Sequence, residues 1–413
     1  MRRGRIFMGN GKGKKDNTLY MGRPDDAKYV NWLYHVPGIG RKTLSAMLAG
    51  GLHAEELCAM NEERMRMYLK EVCKFSERMS AALAEKVNCW KRKCDAQRLW
   101  DKILQKEICF VLPNMEAYPE RLKQIPDAPL GLYIKGGGDF RAMSEKRRPV
   151  VAVVGARTCS EYGKYVARRI GQKCAQRGVM IVSGMALGVD GISQWGGLEA
   201  GGLVAAVLGC GADICYPEAN LPIYNALCEK GCIYSEYAPG TEPRSNFFPP
   251  RNRIISGMAD VLVVVEAKER SGTLITVDMA LEQGKEVYVI PGRVTDPMSV
   301  GCNQLIRQGA SVICDLDSFV EEIANTGLHH FGSAYEEQCA EEESGCSPEN
   351  PYPVNSLRNY IYNALDINPA SVQQIYEKVA QKCETDISML QRELLFMQMD
   401  GTVREMSGRY CVS

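Results

Sequence analysis

The chain has 413 residues, of which 45% are hydrophobic and 24% are charged, and 50 basic side chains balance 50 acidic ones. This composition is ordinary for a globular protein, and the length allows two to four domains. No apolar run is long enough to span a bilayer, and the basic start lacks the apolar stretch of a signal peptide. The sequence therefore predicts a cytosolic protein.

The cysteines and histidines argue against a metal site. The chain contains 17 cysteines and 4 histidines, with no C-x-x-C spacing and no histidine between residues 149 and 314. Zinc sites are built from close clusters of these residues. We therefore expect free thiols in a reducing cytosol, and no metal or other cofactor.

The first hundred residues predict an extension followed by helices. Residues 1–24 are rich in Gly, Lys and Arg and predict a basic disordered extension: either an arm on nucleic acid, or the result of an over-long start before a true first residue at Met21. Residues 25–105 have the apolar spacing of helices. Within them, the Pro-Gly-Ile-Gly turn at 37–40 resembles a helix-hairpin-helix (SAM-like) unit, and a purely structural turn is the alternative. The secondary DNA contacts predicted here are Gly38, Gly40, Arg41 and Lys42.

Residues 106–325 predict the main domain. After an irregular lead-in over 107–136, apolar strands alternate with helical runs such as 160–176 and 272–283. This alternation is typical of a parallel sheet covered on both faces, so we predict an α/β fold with a Rossmann-like, doubly wound, mainly parallel sheet. Its ligand belongs at the carboxyl ends of the strands. The predicted strands are Val150–Val154, Val179–Val182, Leu203–Leu208, Cys232–Ser235, Val261–Glu266, Val287–Ile290 and Ser311–Cys314.

Two Gly-rich turns follow the first two of these strands. Gly155-Ala156-Arg157 places a guanidinium at a strand end, where Arg157 is either a phosphate ligand or an ordinary surface arginine. The turn at 183–188 offers backbone amides to a phosphate, with predicted contacts at Ser183, Gly184, Met185 and Ala186. It matches neither G-x-G-x-x-G nor the Walker motif. Asp190 then either caps a helix or contacts a ribose.

Two further turns add basic, aromatic and hydroxyl groups. Phe247 and Phe248 precede Arg251-Asn252-Arg253, and rings beside basic side chains are typical of single-stranded nucleic-acid sites. Phe247 is predicted as a secondary contact, with core packing as the alternative for at least one ring. Ser271-Gly272-Thr273 opens a helix and supplies hydroxyls and amides for a further phosphate.

An acidic linker and a small domain end the chain. Residues 308–357 hold ten Asp or Glu and no Lys or Arg, and the linker is predicted over 326–353. Residues 354–413 predict three helices and a short hairpin, the order of a winged-helix-like domain. The third helix carries Gln391 and Arg392 but is largely apolar, which leaves groove reading, protein contact and core packing as alternatives.

The turns of the main domain form one ordered set of motifs over residues 118–315. The motifs are Gly155-x-Arg157, Ser183-Gly184-x-Ala186-x-Gly188-x-Asp190, Tyr216-Pro217, Phe248-Pro249-x-Arg251-Asn252-Arg253, Ser271-Gly272-Thr273 and Pro291-Gly292. This set resembles the DNA-processing protein A family (DprA/Smf). The resemblance implies a cytosolic homodimer that binds single-stranded DNA during natural transformation, protects it and loads the RecA recombinase. It also implies phosphate contacts from Arg157, Ser183–Ala186, Arg251–Arg253 and Ser271–Thr273.

Two positions depart from the pattern of that family. Gln194 stands where the family usually has histidine, and Leu203 stands where it often has lysine. The first change is tolerable if the histidine is structural. The second removes an expected DNA contact.

Two enzymatic hypotheses compete with DNA binding. Nucleoside-monophosphate phosphoribohydrolases use the same type of sheet, but a threonine, Thr276, falls where their catalytic glutamate would be. An NAD-dependent oxidoreductase requires the G-x-G-x-x-G turn that this chain lacks. The sequence therefore favours a binding protein over an enzyme.

Overall fold

The computed structural model describes residues 26–138, 148–329, 356–365, 370–380, 383, 385–399, 402–406 and 409–412. The chain divides into two compact units, with the boundary between His330 and Phe331. The two units are described separately below.

Six helices begin the larger unit: α1 (Ala27–Tyr34), α2 (Arg41–Leu48), α3 (Ala54–Ala59), α4 (Glu62–Glu71), α5 (Glu77–Lys93) and α6 (Ala96–Gln105). Asn61, Ser76 and Asp95 cap the last three by accepting hydrogen bonds from amides at the helix starts. Residues such as Leu33 and Leu44 belong to the same apolar cluster as Val151 in the sheet. The helices predicted over 25–105 therefore share a core with one face of the main domain.

The larger unit is built on a nine-stranded, mostly parallel sheet. Its strands are β1 (Ile108–Val111), β2 (Leu132–Lys135), β3 (Val150–Val154), β4 (Met180–Ser183), β5 (Val204–Leu208), β6 (Cys232–Ser235), β7 (Val261–Val264), β8 (Glu286–Val289) and β9 (Ser311–Val312). Their order is β1-β2-β6-β5-β4-β3-β7-β8-β9. All seven predicted strands are present. The lead-in predicted as irregular over 107–136 is wrong in part, because β1 and β2 add an antiparallel edge at β6.

Helices cover both faces of this sheet. They are α7 (Glu161–Gln176), α8 (Val189–Glu199), α9 (Leu221–Lys230), α10 (Phe248–Met258), α11 (Gly272–Glu282), α12 (Val300–Arg307) and α13 (Leu316–His329). Val151 and Val153 pack with α7, whereas Ala152 and Val154 pack with α10. Alternate residues of β3 thus feed two cores, as a doubly covered strand requires.

The ends of these elements follow their sequence signals. Ser160 caps α7, and Gly178 closes its turn with φ +69°. Ser271 caps α11, and Gly284 follows it with the same φ. Helix α13 continues to His329, so the first residues of the predicted linker are helical. Residues 1–24 and most of the linker lie outside the described residues.

The smaller unit contains α14 (Leu357–Ala364), β10 (Ala370–Ser371), α15 (Val372–Val379), α16 (Ile387–Met399), β11 (Val403–Met406) and β12 (Arg409–Val412). Its strands form an antiparallel sheet in the order β10-β12-β11. Ile361, Ile375 and Leu394 form the centre of a separate small core. In the described part of the chain, no helix combines the length and apolarity needed to cross a membrane.

Candidate nucleic-acid interface

The carboxyl ends of β3 and β7 and the turn after β4 open into one cavity of about 570 Å³, called here the main cavity. Parallel strands end at the same edge of a sheet, so turns distant in sequence meet there. Seven predicted site residues line it: Arg157, Ala186, Arg251, Asn252, Ser271, Gly272 and Thr273.

The first turn presents Arg157 to solvent. This side chain is exposed, and its guanidinium carbon lies 5.7 Å from the centre of the Phe248 ring. Ser160 caps α7 as predicted, with its Oγ accepting from the Gly163 amide at 3.0 Å. The Glu266 carboxylate accepts from both the amide and the hydroxyl of Ser160. The Glu266 carboxylate therefore already occupies the anion-binding start of α7. The exposed guanidinium of Arg157 remains accessible to an anion at this turn.

The second turn is engaged inside the protein. Ser183 Oγ donates to the Val153 carbonyl at 2.6 Å, and the Gly184 amide donates to Asp190 Oδ2 at 3.2 Å. Met185 is fully buried with φ +52°, and its amide donates to Gln194 Oε1 at 3.1 Å. The structure does not bring Ser183, Gly184 or Met185 to the wall of the main cavity. Ala186 is the predicted contact of this turn that lines it.

The Asp190 carboxylate connects the first two turns through hydrogen bonds. It is 7% exposed and lies at the start of α8. Burial raises the pKa of the Asp190 carboxyl, and Arg251 together with hydrogen bonds from Ser183, Gly184 and Gly155 opposes that rise. The carboxylate therefore joins two turns through their amides and does not cap α8, while the alternative contact with a ribose stays a prediction.

Arg251 forms the floor of the main cavity. Its Nη1 donates to the carbonyls of Gly184, at 2.7 Å, and Val207, and its Nε donates to Asn252 Oδ1 at 3.1 Å. The residue is 5% exposed. Burial lowers the pKa of its guanidinium, and Asp190 counteracts that effect. Arg251 thus joins the ends of β4 and β5 and places a fixed positive charge at the floor of the main cavity.

Arg253 and Arg41 lie outside the main cavity, in an ion network. Arg253 Nη2 donates to both oxygens of Glu236 at 2.8 and 2.9 Å, and its Nε donates to Asp127 at 3.1 Å. Arg41 Nη2 donates to Asp127 at 2.6 Å, and Arg41 Nε lies 3.6 Å from Glu236. Both arginines were predicted to contact DNA. Here they share two carboxylates and tie the start of α2 to α10.

The other predicted contacts at the Pro-Gly-Ile-Gly turn also lie outside the main cavity. Gly38 adopts φ +84°, Gly40 precedes α2, and Lys42 is exposed on that helix. Gly38 permits the turn because only glycine takes this φ readily. These residues form a separate surface on the helical region.

The third turn, Ser271-Gly272-Thr273, places the start of α11 at the wall of the main cavity. Ser271 Oγ accepts from the Thr273 amide at 3.2 Å and donates to Thr273 Oγ1 at 3.0 Å. Gly272 is exposed, and a Cβ built there would meet no heavy atom within 4 Å. The positive end of the α11 dipole therefore faces open space, as an anion site requires.

Comparison with known proteins identifies the family of the chain. The model of the family described as DNA recombination-mediator protein A matches residues 109–324. The chain belongs to this family. It is 40% identical over 198 residues to the DNA processing protein DprA of Streptococcus pneumoniae, covering 48% of this chain and 68% of that protein. It is 33% identical over 319 residues to the protein Smf of Escherichia coli, covering 75% of this chain and 80% of that protein.

A solved structure of a relative extends the similarity to the fold. The X-ray structure of DNA processing protein A from S. pneumoniae matches with a TM-score of 0.52 and 30% identity. The match covers 69% of this chain and 98% of that chain.

Both departures from the pattern of the DNA-processing protein A family fall on packed positions. Gln194 is fully buried, accepts from the Met185 amide and donates to the Ala205 carbonyl at 2.8 Å. A neutral imidazole also offers one donor and one acceptor, so glutamine can replace it in this bridge. Leu203 is half-buried and packs against the core behind β5. It does not line the main cavity.

Three residues that line the main cavity, Arg270, Tyr216 and Phe248, were not among the predicted site residues. Arg270 is exposed beside Ser271 and lines the main cavity, and a basic residue just before a helix cap is a readable signal for an anion site. Tyr216 also lines the main cavity, and its ring stacks on Phe248 with centroids 5.5 Å apart. Phe247 instead stacks on Tyr237 at 4.4 Å, away from the cavity wall. Of the two phenylalanines, Phe248 lines the main cavity, and the contact predicted for Phe247 stays a prediction.

Proposed function

We propose that this protein binds single-stranded DNA in the main cavity without reading its sequence. One observation carries the proposal: three guanidinium groups, an open helix start and a stacked pair of aromatic rings converge at the carboxyl edge of the sheet. Arg157, Arg251 and Arg270 supply positive charge, and α11 supplies amides and its dipole. Tyr216 on Phe248 supplies a ring face for a base.

The same groups favour a single strand over a duplex. Arginine and amide contacts to phosphate fix the position of the backbone but carry no information about the base. A base can stack on Tyr216, which is 40% exposed, only if it leaves its own stack, and in a duplex unstacking and unpairing cost a few kcal/mol. Stacking on a ring is open to every base, so the binding is independent of sequence.

The proposed activity is binding without cleavage. Among the described residues that line the main cavity, Asp190 is the one carboxylate, and it holds the backbone amide of Gly184. Thr276, at the position of the phosphoribohydrolase glutamate, is 3% exposed and carries a hydroxyl. These contacts support a cradle for phosphate over the alternative of glycosidic hydrolysis.

Membership of the family extends the proposal to partners. The description of the family as a recombination mediator supports delivery of the bound strand to the RecA recombinase. Names of relatives such as DNA processing protein DprA support a role in handling DNA taken up during transformation. We further propose that the protein acts as a homodimer, that the helices over 25–105 form a SAM-like unit and that the smaller unit is a winged-helix-like domain.

The test is fluorescence anisotropy of the full-length protein with labelled oligo-dT, a mixed-sequence single strand, a duplex of the same length and a mononucleotide. We expect tight and similar binding of the two single strands and weaker binding of the duplex. After incubation with the protein, the mononucleotide should be recovered with its base still attached. Equal affinity for single strand and duplex would contradict it.

A further inference from the structure

A second cavity lies beside the main one, between the N-terminal halves of α7 and α8. It has a volume of about 530 Å³, and we call it the side groove. Its apolar and aromatic walls come from Tyr165, Ile192, Trp195 and Ile223, and Lys164 and Arg168 lie at its rim.

Glycines explain why the groove has this shape. A Cβ at Gly171 would lie 2.2 Å from the Ser193 carbonyl oxygen, and one at Gly196 would lie 2.4 Å from the Arg168 carbonyl oxygen. The backbones of α7 and α8 therefore touch at these positions. The groove lies next to these contacts, where Tyr165 of α7 and Trp195 of α8 line its wall.

The side groove adjoins the site proposed for DNA. A Cβ at Gly188, which lines the groove, would lie 2.2 Å from the carbonyl oxygen of Ala156 and 2.5 Å from that of Arg157, both of which line the main cavity. Asn220, also in the groove, donates to the carbonyls of Met185 and Ala186 at 2.9 and 3.0 Å. One layer of backbone thus separates the two spaces.

The side chains of the groove suit bases more than phosphates alone. Tyr165 is 65% exposed, and neither its ring nor that of Trp195 pairs with another aromatic ring among the described residues. Lys164 pairs with Glu161 at 2.6 Å and Arg168 with Glu199 at 2.7 Å, all at the surface. Exposed ion pairs contribute little stability, so a phosphate can take the place of either carboxylate.

We propose that the side groove is a second subsite for the same DNA strand, in which nucleobases leaving the main cavity stack on Tyr165 and Trp195. The rim cations, Lys164 and Arg168, then follow the phosphates. An exposed tyrosine and a half-buried tryptophan beside exchangeable cations match the composition of single-strand channels, in which rings stack on bases and cations follow the backbone. The inference rests on the proposed function, because it extends the path of the strand bound in the main cavity.

The experiment measures the length dependence of binding. Full-length wild type and Tyr165→Ala are titrated with labelled oligo-dT of roughly 4 to 16 nucleotides, the span of single-strand site sizes. Short strands that fill the main cavity should bind both proteins equally. Long strands should bind Tyr165→Ala about 5- to 150-fold more weakly, the effect of losing one base stack. Tyr165→Phe keeps the ring face and should bind like wild type.

The matched control is Tyr162→Ala. Tyr162 lies one turn earlier on α7 and is 52% exposed, but it does not line the side groove. This variant should bind every length as wild type does. Equal effects of Tyr162→Ala and Tyr165→Ala would overturn the assignment of the groove.

The remaining outcomes separate the two proposals. If wild type binds no oligo-dT of any length, the proposed function itself fails. If wild type binds but Tyr165→Ala matches it at every length, or is weakened equally at every length, the side groove is not a subsite. If Tyr165→Ala instead dissociates a DNA-free dimer in sedimentation velocity, the groove binds a second copy of the chain, and the inference is wrong.

Discussion

Replacing Arg253 by alanine should destabilise the larger unit instead of removing a DNA contact. Arg253 is 6% exposed and Glu236 is 8% exposed, and two hydrogen bonds join them. Removing one partner of a buried ion pair typically costs about 3–5 kcal/mol, because the other charge is left in a poorly solvated place. Arg41 remains 3.6 Å from Glu236, so we expect a loss at the lower end of that range, about 3 kcal/mol.

Urea unfolding followed by tryptophan fluorescence measures this loss. Trp32, Trp90, Trp100 and Trp195 are the four tryptophans of the chain, and all lie in the larger unit, so the signal reports that unit. The midpoint should fall with an unchanged slope. The double variant Arg253→Ala/Glu236→Gln should be more stable than Arg253→Ala alone, because it removes the stranded charge.

Fluorescence anisotropy of the same variants tests whether Arg253 contacts DNA. At urea-free conditions the folded Arg253→Ala protein should bind oligo-dT with the affinity and the salt dependence of wild type. If Arg253→Ala kept the stability of wild type while its log K versus log salt slope fell by about 0.7, Arg253 would be a phosphate ligand and the network would not be structural.

Three further predictions concern the walls of the main cavity. Arg157→Ala and Arg270→Ala should each reduce the slope of log K against log salt for single-strand binding by about 0.7. The urea midpoint should not change, because both side chains are exposed. An unchanged slope would show that these arginines do not contact the DNA phosphates. Tyr216→Ala should cost about 1–3 kcal/mol of binding in titrations with oligo-dT, whereas Tyr216→Phe should keep it, and equal losses would assign the effect to the hydroxyl. Because burial raises the pKa of Asp190, lowering the pH protonates it above the usual aspartate range near 4, so its negative charge disappears and DNA affinity should rise as the pH falls. Asp190→Asn should remove that part of the pH profile, and an identical profile in both proteins would contradict the assignment.

The strands and the edge that holds the site could be read from the sequence. Val150–Val154 and Cys232–Ser235 have the predicted bounds, because continuous apolar runs between turn residues leave few other pairings. The antiparallel strands β1 and β2 were missed. Each is four residues long and mostly buried, so neither shows the alternation that marks a half-exposed strand.

The roles of individual side chains were harder to predict. Arg251 and Arg253 are two residues apart on α10, and such residues point about 200° apart around a helix. They cannot both face one ligand, and the structure gives the first to the main cavity and the second to the ion network. The Pro249-Pro250 start of α10 was the available signal for this helix. No sequence pattern indicated that the side chains of Asp190 and Gln194 would accept hydrogen bonds from the amides of the second turn. These contacts depend on how the turn folds back onto α8, and hydrophobic spacing carries no information about that geometry.

Photocrosslinking tests most directly whether the main cavity holds the DNA. Oligo-dT carrying 5-iododeoxyuridine is bound to the full-length protein, irradiated, and the modified peptides are mapped by mass spectrometry. Crosslinks are expected at Tyr216, the ring that offers its exposed face to a base, and they should be lost in Tyr216→Ala. Crosslinks confined to residues 25–105 or 354–413 would place the DNA elsewhere and contradict binding in the main cavity.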